Sequence, residues 1–168
     1  MTFLPWSRSC LEQSTFFKNL NLYSDADNPR KIDLHVPLDR YMSNLRSIAL
    51  EILDLGVSRL IFITPPPTRK GAYPDSRFAY RNAMISVARE LDLVLMDTWA
   101  LFFNKTSGLA TDAVLDSITM NDYNDTLLSD YLVDHEHYNR KGNDLHWSGL
   151  RNLILKVYPE MNPWEKCY

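Results

Sequence analysis

The sequence predicts an α/β protein with a short parallel sheet flanked by helices, and two features lead to this prediction. The chain has 168 residues, of which 45% are apolar and 23% charged, as expected for one globular domain with its own core. Along it, short apolar segments rich in β-branched residues alternate with longer segments whose apolar residues recur at helical spacing. Strands that alternate with helices pair in parallel, because each connection between them crosses over through a helix.

Three elements are predicted in the first part of the chain. The segment from Phe16 to Tyr23 alternates loosely between apolar and polar residues, which favours a short strand, and a polar loop follows it. His35-Val36-Pro37 opens a helix that ends near Gly56, a residue typical of helix caps. The apolar stripe of this helix comprises Tyr41, Leu45, Ile48, Ala49, Ile52 and Leu53. Residues 59–64 (RLIFIT) predict a strand buried on both faces, which a run of three prolines ends.

The same alternation continues in the second part. Residues 76–91 predict a helix whose buried stripe comprises Phe78, Ala79, Ala83, Met84, Val87 and Leu91. Val94–Met96 predicts a third strand, and Asp97 is placed to cap the helix after it. Residues 104–130 have only a weak apolar pattern and predict irregular structure. The final helix is predicted from Arg140 to Tyr158, with Asn139 as its N-cap and a stripe of Leu145, Leu150, Leu153, Ile154 and Val157.

Composition and charge exclude several classes of protein. Eighteen basic against 21 acidic residues give a net charge of −3, which argues against a protein that binds nucleic acid through its phosphates. No apolar run approaches the ~20 residues that a membrane span needs. The amino-terminal segment lacks the apolar core of a signal peptide but contains Ser and Arg, as a transit peptide does. We therefore expect an intracellular protein, with the mitochondrion as one compartment to test.

The two cysteines, Cys10 and Cys167, lie near opposite ends of the chain and form neither a CxxC pair nor a metal-ligand spacing. Free thiols in a reducing compartment are the simpler interpretation, and a bridge between the termini is the alternative. We expect neither a metal nor a cofactor.

The strongest candidate site is Asp134-His135-Glu136-His137, in a loop that leads directly into the final helix. A carboxylate and an imidazole three residues apart suit an orienting acid and a general base. Two other interpretations stay open. One is a charged loop with two solvent-exposed histidines, and the other is a metal site in which His135 and His137 act with Asp134 or Glu136 but lack a third ligand at a recognised spacing.

Three further places lie where the strands of such a sheet would end, which is where ligands bind in open α/β sheets. The segment 24–28 (SDADN) is placed to hold a catalytic or oxyanion residue, although a plain turn is the simpler interpretation. Thr64 and the three prolines after it are interpreted as structural or as the wall of a pocket, and Asp97 as a helix cap.

The order of these motifs resembles the carboxyl-terminal part of the SGNH hydrolases (the GDSL esterase superfamily), in particular the isoamyl-acetate-hydrolysing esterase branch. The matching pieces are HVPL at 35–38 with Tyr41 and Asn44-Leu45, IFITPPP at 61–67, DTW at 97–99, YLVDHEH at 131–137 and KGN at 141–143. The resemblance implies an amino-terminally truncated, flavodoxin-like three-layer sandwich over residues 16–168, preceded by an extension over 1–15. It also implies that His137 is the family's base and Asp134 its orienting acid.

The sequence departs from that family where the nucleophile should be. It contains no Gly-Asp-Ser, the family's oxyanion Gly block is absent, and Ser24 and Ala26 stand where its Gly-x-Asn-Asp block should fall. By serine-protease precedent, loss of the serine alone removes about 10⁶ in rate, and each lost oxyanion donor costs about 3–4 kcal/mol. We therefore expect the Asp134–His137 pair to be vestigial.

The leading hypothesis is a non-catalytic SGNH-like protein that acts as a structural or accessory subunit of a larger complex, with a mitochondrial assembly as one option. If the family's first two strands are gone, the strand from Phe16 to Tyr23 is an exposed edge with which a protein partner can pair. The alternative is a carboxylic ester hydrolase whose serine block comes from a missing segment or a second chain. A third hypothesis is a small-molecule binding module around His137, Asp134 and Thr64.

Overall fold

Two short parallel strands lie at the centre of the described residues, which are 36–70 and 74–162 in this computed structural model. Strand β1 (Ile61–Ile63) pairs with strand β2 (Val94–Met96), with Phe62 opposite Leu95. The parallel pairing confirms the predicted fold class. Several predictions concern residues outside the described ranges: the strand from Phe16 to Tyr23, the segment 24–28, the boundary at residue 15, and the cysteines Cys10 and Cys167.

Strand β1 is shorter than the predicted 59–64. Arg59 is exposed and forms an ion pair with Glu160 at 2.7 Å. Thr64 continues the ladder by one bond, from its N–H to the Met96 carbonyl at 3.0 Å. Pro65 has no N–H with which to extend the ladder further, so the strand ends where the proline run begins.

Six α-helices and two 3-10 turns surround these strands in the described residues. The long helices agree with the predictions to within a few residues at each end. The bounds are α1 Leu38–Asp54, α2 Pro74–Glu90, α3 Thr98–Phe102, α4 Asp112–Ser117, α5 Asp125–Ser129 and α6 Arg140–Val157, with 3-10 turns at Met120–Asp122 and Pro159–Met161.

The helices cover both faces of the strand pair. Phe62 and Leu95 point to one face and pack in a core cluster with Ala49 of α1 and Val87 of α2. Met96 points to the other face and lies in a second cluster with residues of α3 and α6, among them Trp99, Leu101, Phe102 and Leu153. The result is three layers, as expected from the alternation of strands and helices.

Helix α1 ends at Asp54, and Gly56 occupies the cap position after it, as predicted. Gly56 has a φ of +83°, a conformation that glycine adopts without strain. Its N–H donates to the Leu53 carbonyl at 2.9 Å, and the Val57 N–H donates to the Ile52 carbonyl at 3.4 Å. This pair of bonds is the Schellman motif, which satisfies carbonyls that the helix end would leave unpaired.

The predicted buried stripes are only partly correct. Of the stripe predicted for α2, Ala83, Met84 and Val87 are buried, whereas Phe78, Ala79 and Leu91, which follows the helix, are half-buried. Helix α2 also buries three residues outside the predicted stripe, namely Arg81, Ile85 and Ala88. In α1, Ile48 belongs to the apolar stripe but is exposed.

Residues 104–130 are more regular than predicted. They contain α4, a 3-10 turn and α5, and each begins at a capping side chain: Thr111, Thr119 and Asn124. Elements of three to six residues are too short to show an apolar period, so their signal in the sequence is the cap alone. Within the described residues, no helix combines the length and the apolar character that crossing a bilayer requires.

Candidate functional site

The loop of residues 134–137, here called the site loop, is closed by local backbone contacts. Leu132 and Tyr138 form an antiparallel bridge on either side of it. Inside that bridge, the Val133 N–H donates to the His137 carbonyl at 2.9 Å. Asn139 then caps α6, because its Oδ1 accepts from the Gly142 N–H at 2.9 Å. The loop is thus fixed at the entrance of α6.

Asp134 and His137 face each other across this loop. The distance from His137 Nδ1 to Asp134 Oδ2 is 2.8 Å. The other oxygen, Oδ1, accepts from the backbone N–H groups of Glu136 and His137, both at 2.8 Å. One oxygen of the carboxylate therefore shapes the loop while the other orients the imidazole.

The pair shifts both ionisation equilibria. The hydrogen bonds from the backbone N–H groups of His137 and Glu136, together with the imidazole, hold the pKa of the Asp134 carboxyl far below its usual range. The hydrogen bond to Asp134 and its charge raise the pKa of His137, with a smaller contribution from Glu136. The side chain of His137 is 76% exposed, so its ring is open to solvent.

This arrangement suits proton transfer at the second ring nitrogen. Since the Asp134 carboxylate can only accept, Nδ1 carries a proton and Nε2 of the neutral ring is left as the basic atom. A carboxylate that fixes the tautomer and stabilises the imidazolium is the arrangement found in Ser-His-Asp hydrolases.

The other residues of the site loop do not join this pair. Glu136 turns to α2, where its Oε1 lies 3.5 Å from Arg77 Nη2. The His135 carbonyl accepts from the Arg69 N–H at 2.9 Å, a contact of the backbone rather than the imidazole. Among residues 36–70 and 74–162, no three His, Cys, Asp or Glu side chains are grouped to hold a metal ion.

A buried polar network lies at the carboxyl ends of the two strands. Asp97 caps α3 through the Trp99 N–H at 3.2 Å and also accepts from the Thr64 hydroxyl at 3.1 Å. The Thr98 N–H in turn donates to Thr64 Oγ1 at 3.0 Å. The sequence predicted only a capping role for Asp97, and for Thr64 a structural role, a place in a pocket wall or a place in a small-molecule site with His137 and Asp134. The network places both residues in the interior, where they hold the strand ends together.

Arg81 is the partner that sequence reasoning missed. Its guanidinium contacts both oxygens of Asp97, with Nη2 to Oδ2 at 2.6 Å, and Nη2 also donates to the Leu115 carbonyl at 3.1 Å. One feature of the sequence could have indicated this burial. Arg81 lies one helical turn after Phe78, on the side of the helix that otherwise carries the apolar stripe.

One cavity in the described part of the chain lies away from the site loop. It has a volume of about 440 Å³ and is lined by α2, α4 and the residues after α4, among them Phe78, Arg81, Arg89 and Leu115. None of its lining residues belongs to the site loop.

Comparison with curated proteins finds relatives that all carry the same name. The chain is 29% identical to human "isoamyl acetate-hydrolyzing esterase 1 homolog" over 146 residues, which cover 77% of this chain and 50% of that protein. The bovine protein of the same name is 30% identical, with the same coverage. The mouse protein is 29% identical over 154 residues, 82% of this chain and 53% of that protein. The chain therefore spans about half the length of the curated relatives it matches.

Comparison with solved structures gives the fold. The crystal structure of Axe2, an acetylxylan esterase from Geobacillus stearothermophilus, matches with a TM-score of 0.51 and 23% sequence identity. The match covers 78% of this chain and 51% of that chain. No family profile matches the sequence.

Proposed function

This chain is a relative of the SGNH hydrolases, and we propose that it supplies the acid–base half of a carboxylic ester hydrolase site. The observation that carries the proposal is the 2.8 Å contact between His137 Nδ1 and Asp134 Oδ2. The names of the curated relatives, isoamyl acetate-hydrolyzing esterase homologs, favour a short-chain acetate ester as the substrate.

The complementary half is a serine in a Gly-Asp-Ser block, which the 168-residue sequence lacks. A segment outside this sequence, or a second chain, supplies it in this proposal. Its hydroxyl has to come within hydrogen-bond reach of His137 Nε2, roughly 2.6–3.2 Å. The exposure of the His137 ring leaves room for that approach.

The reaction has two steps, acylation of the serine and deacylation by water. In each step His137 accepts one proton and then gives it up. As the serine oxygen attacks the ester carbonyl carbon, its proton passes to His137 Nε2, which then gives it to the departing alcohol oxygen. Water next attacks the acyl carbon, loses a proton to Nε2, and the acid leaves as the serine oxygen recovers that proton. Asp134 stabilises the imidazolium present between these transfers.

The test is the esterase activity of the endogenous, tagged protein isolated with everything bound to it, on p-nitrophenyl acetate and isoamyl acetate. We expect His137→Ala to lower the rate by about 10³-fold or more. His135→Ala is the matched control, because this exposed histidine lies in the same loop and its side chain has no role in the pair. A wild-type rate in His137→Ala would contradict the proposal.

A second candidate is a non-catalytic accessory subunit of a larger complex, favoured by the absence of Gly-Asp-Ser from the sequence. A mitochondrial assembly is one complex to examine. The partner would pair with the edge expected from Phe16 to Tyr23, so Leu20→Pro or Leu22→Pro should release the chain from its particle. Co-purification unchanged by both variants would contradict this candidate.

One experiment separates the two candidates. The isolated material is treated with a fluorophosphonate, which labels an activated serine, and its native size is measured with mass spectrometry of the co-migrating chains. Labelling of any chain in the particle supports the hydrolase. A large particle with neither labelling nor activity supports the accessory subunit.

A further inference from the structure

A carboxylate outside the site, Asp125, contacts donors from two other segments of the chain. It is the first residue of α5. Its Oδ1 accepts from the Lys70 N–H at 2.7 Å and from the Tyr123 hydroxyl at 2.9 Å. Its Oδ2 lies 3.3 Å from Arg69 Nη2. The Asp125 side chain is about 70% withdrawn from solvent, since 29% of it is exposed.

The two residues held by Asp125 end the described part of the β1–α2 loop, here called the 65–70 segment. At its other end, the Pro65 carbonyl accepts from Trp99 Nε1 at 3.1 Å and from the Thr98 hydroxyl at 3.2 Å. The segment is therefore attached to the buried network at one end and to Asp125 at the other.

The 65–70 segment in turn contacts the site loop. The Arg69 N–H donates to the His135 carbonyl at 2.9 Å, between Asp134 and His137 in the chain. A longer contact to this loop from another segment is the ion pair of Arg77 and Glu136, at 3.5 Å. The short contact to the loop backbone thus comes from the residue whose side chain Asp125 binds.

We infer that Asp125 is a positioning residue for His137, acting through Arg69 and Lys70. If its carboxylate is removed, the Lys70 N–H and the Arg69 guanidinium lose an acceptor, and the end of the 65–70 segment loosens. The Arg69–His135 contact then weakens, and the loop that sets the distance between Asp134 and His137 becomes less ordered. The catalytic consequence rests on the proposed function, but the geometric one does not.

The pKa of Asp125 is lowered, chiefly by the Lys70 N–H and also by Tyr123 and Arg69, which agrees with an acceptor used by all three donors. The charged groups that act on the His137 ring are Asp134 and Glu136 of the loop itself, and Arg77 of α2 contacts Glu136 rather than His137. Asp125 is not among the groups that act on the His137 ring directly. If a substitution of Asp125 changes the pKa of His137, the change must therefore come through the backbone contacts of the 65–70 segment with the site loop.

The test measures two properties of the whole chain in Asp125→Ala and Asp125→Asn: the titration of His137 by NMR and hydrogen exchange of the Arg69 amide. We expect the His137 pKa to move down toward its ordinary value and the Arg69 amide to exchange about tenfold faster or more. The Asn variant should shift both in the same direction by less, because it keeps an acceptor oxygen but loses the charge.

Asp122→Asn is the matched control. Asp122 is a nearby carboxylate that also accepts a hydrogen bond from a backbone N–H, that of Thr119, and forms an ion pair with Lys105, and both of these partners lie outside the 65–70 segment. It should leave both readouts unchanged. The inference is overturned if both Asp125 variants leave them unchanged too, or if Asp122→Asn changes them equally. If Asp125→Ala does not fold, Asp125→Asn decides on the same readouts.

Neither readout uses enzymatic activity, so the outcomes for this inference and for the proposed function are separate. A protein without esterase activity whose His137 titration depends on Asp125 supports the inference and contradicts the proposed function. An active esterase in which the Asp125 variants leave the His137 titration unchanged supports the proposed function and contradicts the inference.

Discussion

The guanidinium of Arg81 and the carboxylate of Asp97 form an ion pair at 2.6 Å with 1% and 0% of their side chains exposed. Both oxygens of Asp97 accept from Arg81, and the same carboxylate accepts from Thr64 and the Trp99 N–H. Helix α2, both strand ends and the start of α3 therefore meet at one charged group. A pair so deeply buried is stable only while both partners and their hydrogen bonds are present.

Removal of one partner of the Arg81–Asp97 ion pair should destabilise the protein strongly. We expect Arg81→Met to lower the free energy of unfolding by about 3–5 kcal/mol, because it leaves the Asp97 charge buried without its counterion. Urea denaturation followed by circular dichroism measures the change. Arg46→Met, which breaks an exposed ion pair with Glu90, is the control and should leave the midpoint unchanged within error. If the two substitutions lowered the free energy of unfolding equally, burial of the ion pair could not be the cause of the loss.

The hydroxyl of Thr64 should matter more than its methyl group. Thr64→Val keeps the shape but leaves the Thr98 N–H without its acceptor and Asp97 without one donor. We expect a loss of about 1–3 kcal/mol in the free energy of unfolding, the cost of a buried group left unsatisfied. Thr126→Val, at an exposed position of α5, should be close to neutral. Thermal denaturation of the two variants in parallel gives the comparison.

Gly142 should resist the substitution that usually stabilises a helix. Alanine in place of glycine within a helix normally gains about 1 kcal/mol. At Gly142, however, a Cβ would collide with the Tyr131 carbonyl oxygen, which belongs to the backbone and cannot move aside cheaply. We expect Gly142→Ala to destabilise the protein by about 1–3 kcal/mol. Asn143→Ala, at the next, exposed position, should be neutral or stabilising, and a stabilised Gly142→Ala would contradict the packing described here.

The Asp134–His137 pair should give stability a defined pH dependence. The raised pKa of His137 means that its contribution is complete below the unfolded value of 6.5 and is lost as pH rises through the folded value. The lowered pKa of Asp134 means that its contribution is complete above 3.8 and is lost as pH falls. The destabilisation caused by Asp134→Asn should therefore be largest between pH 3.8 and pH 6.5, and should shrink as pH falls below this range or rises above it. Unfolding measured across pH tests this, and a difference independent of pH would refute it.

The positions of the long helices and of the two strands could be predicted from local patterns in the sequence. The spacing of apolar residues located α1, α2 and α6, and short apolar runs located both strands. Gly56 and Asn139 marked helix ends correctly because a cap is defined by residues next to it in the chain. The Asp134–His137 contact could also be anticipated, since only two residues of a tight loop lie between Asp134 and His137 in the chain.

The contacts that hold the site in place could not be predicted this way. Arg81 and Asp97 are 16 residues apart in the chain, and Arg69 and Asp125 are 56 apart. Each pairing depends on the packing of α2, α5 and the strands, and no local pattern encodes it. The buried position of Arg81 and the exposed position of Ile48 follow from the same cause, because tertiary packing decides which helix positions are covered.

The short sequence separation within the site loop has a consequence for how the protein folds. Closing a loop of a few residues costs little chain entropy, whereas closing one of 33 residues between Thr64 and Asp97 costs more. The acid and the base should therefore meet early, in a chain that is still mostly open, and the distant contacts that make their geometry rigid should come last. During refolding, protection of the backbone amides in the site loop should precede protection of the Thr98 amide.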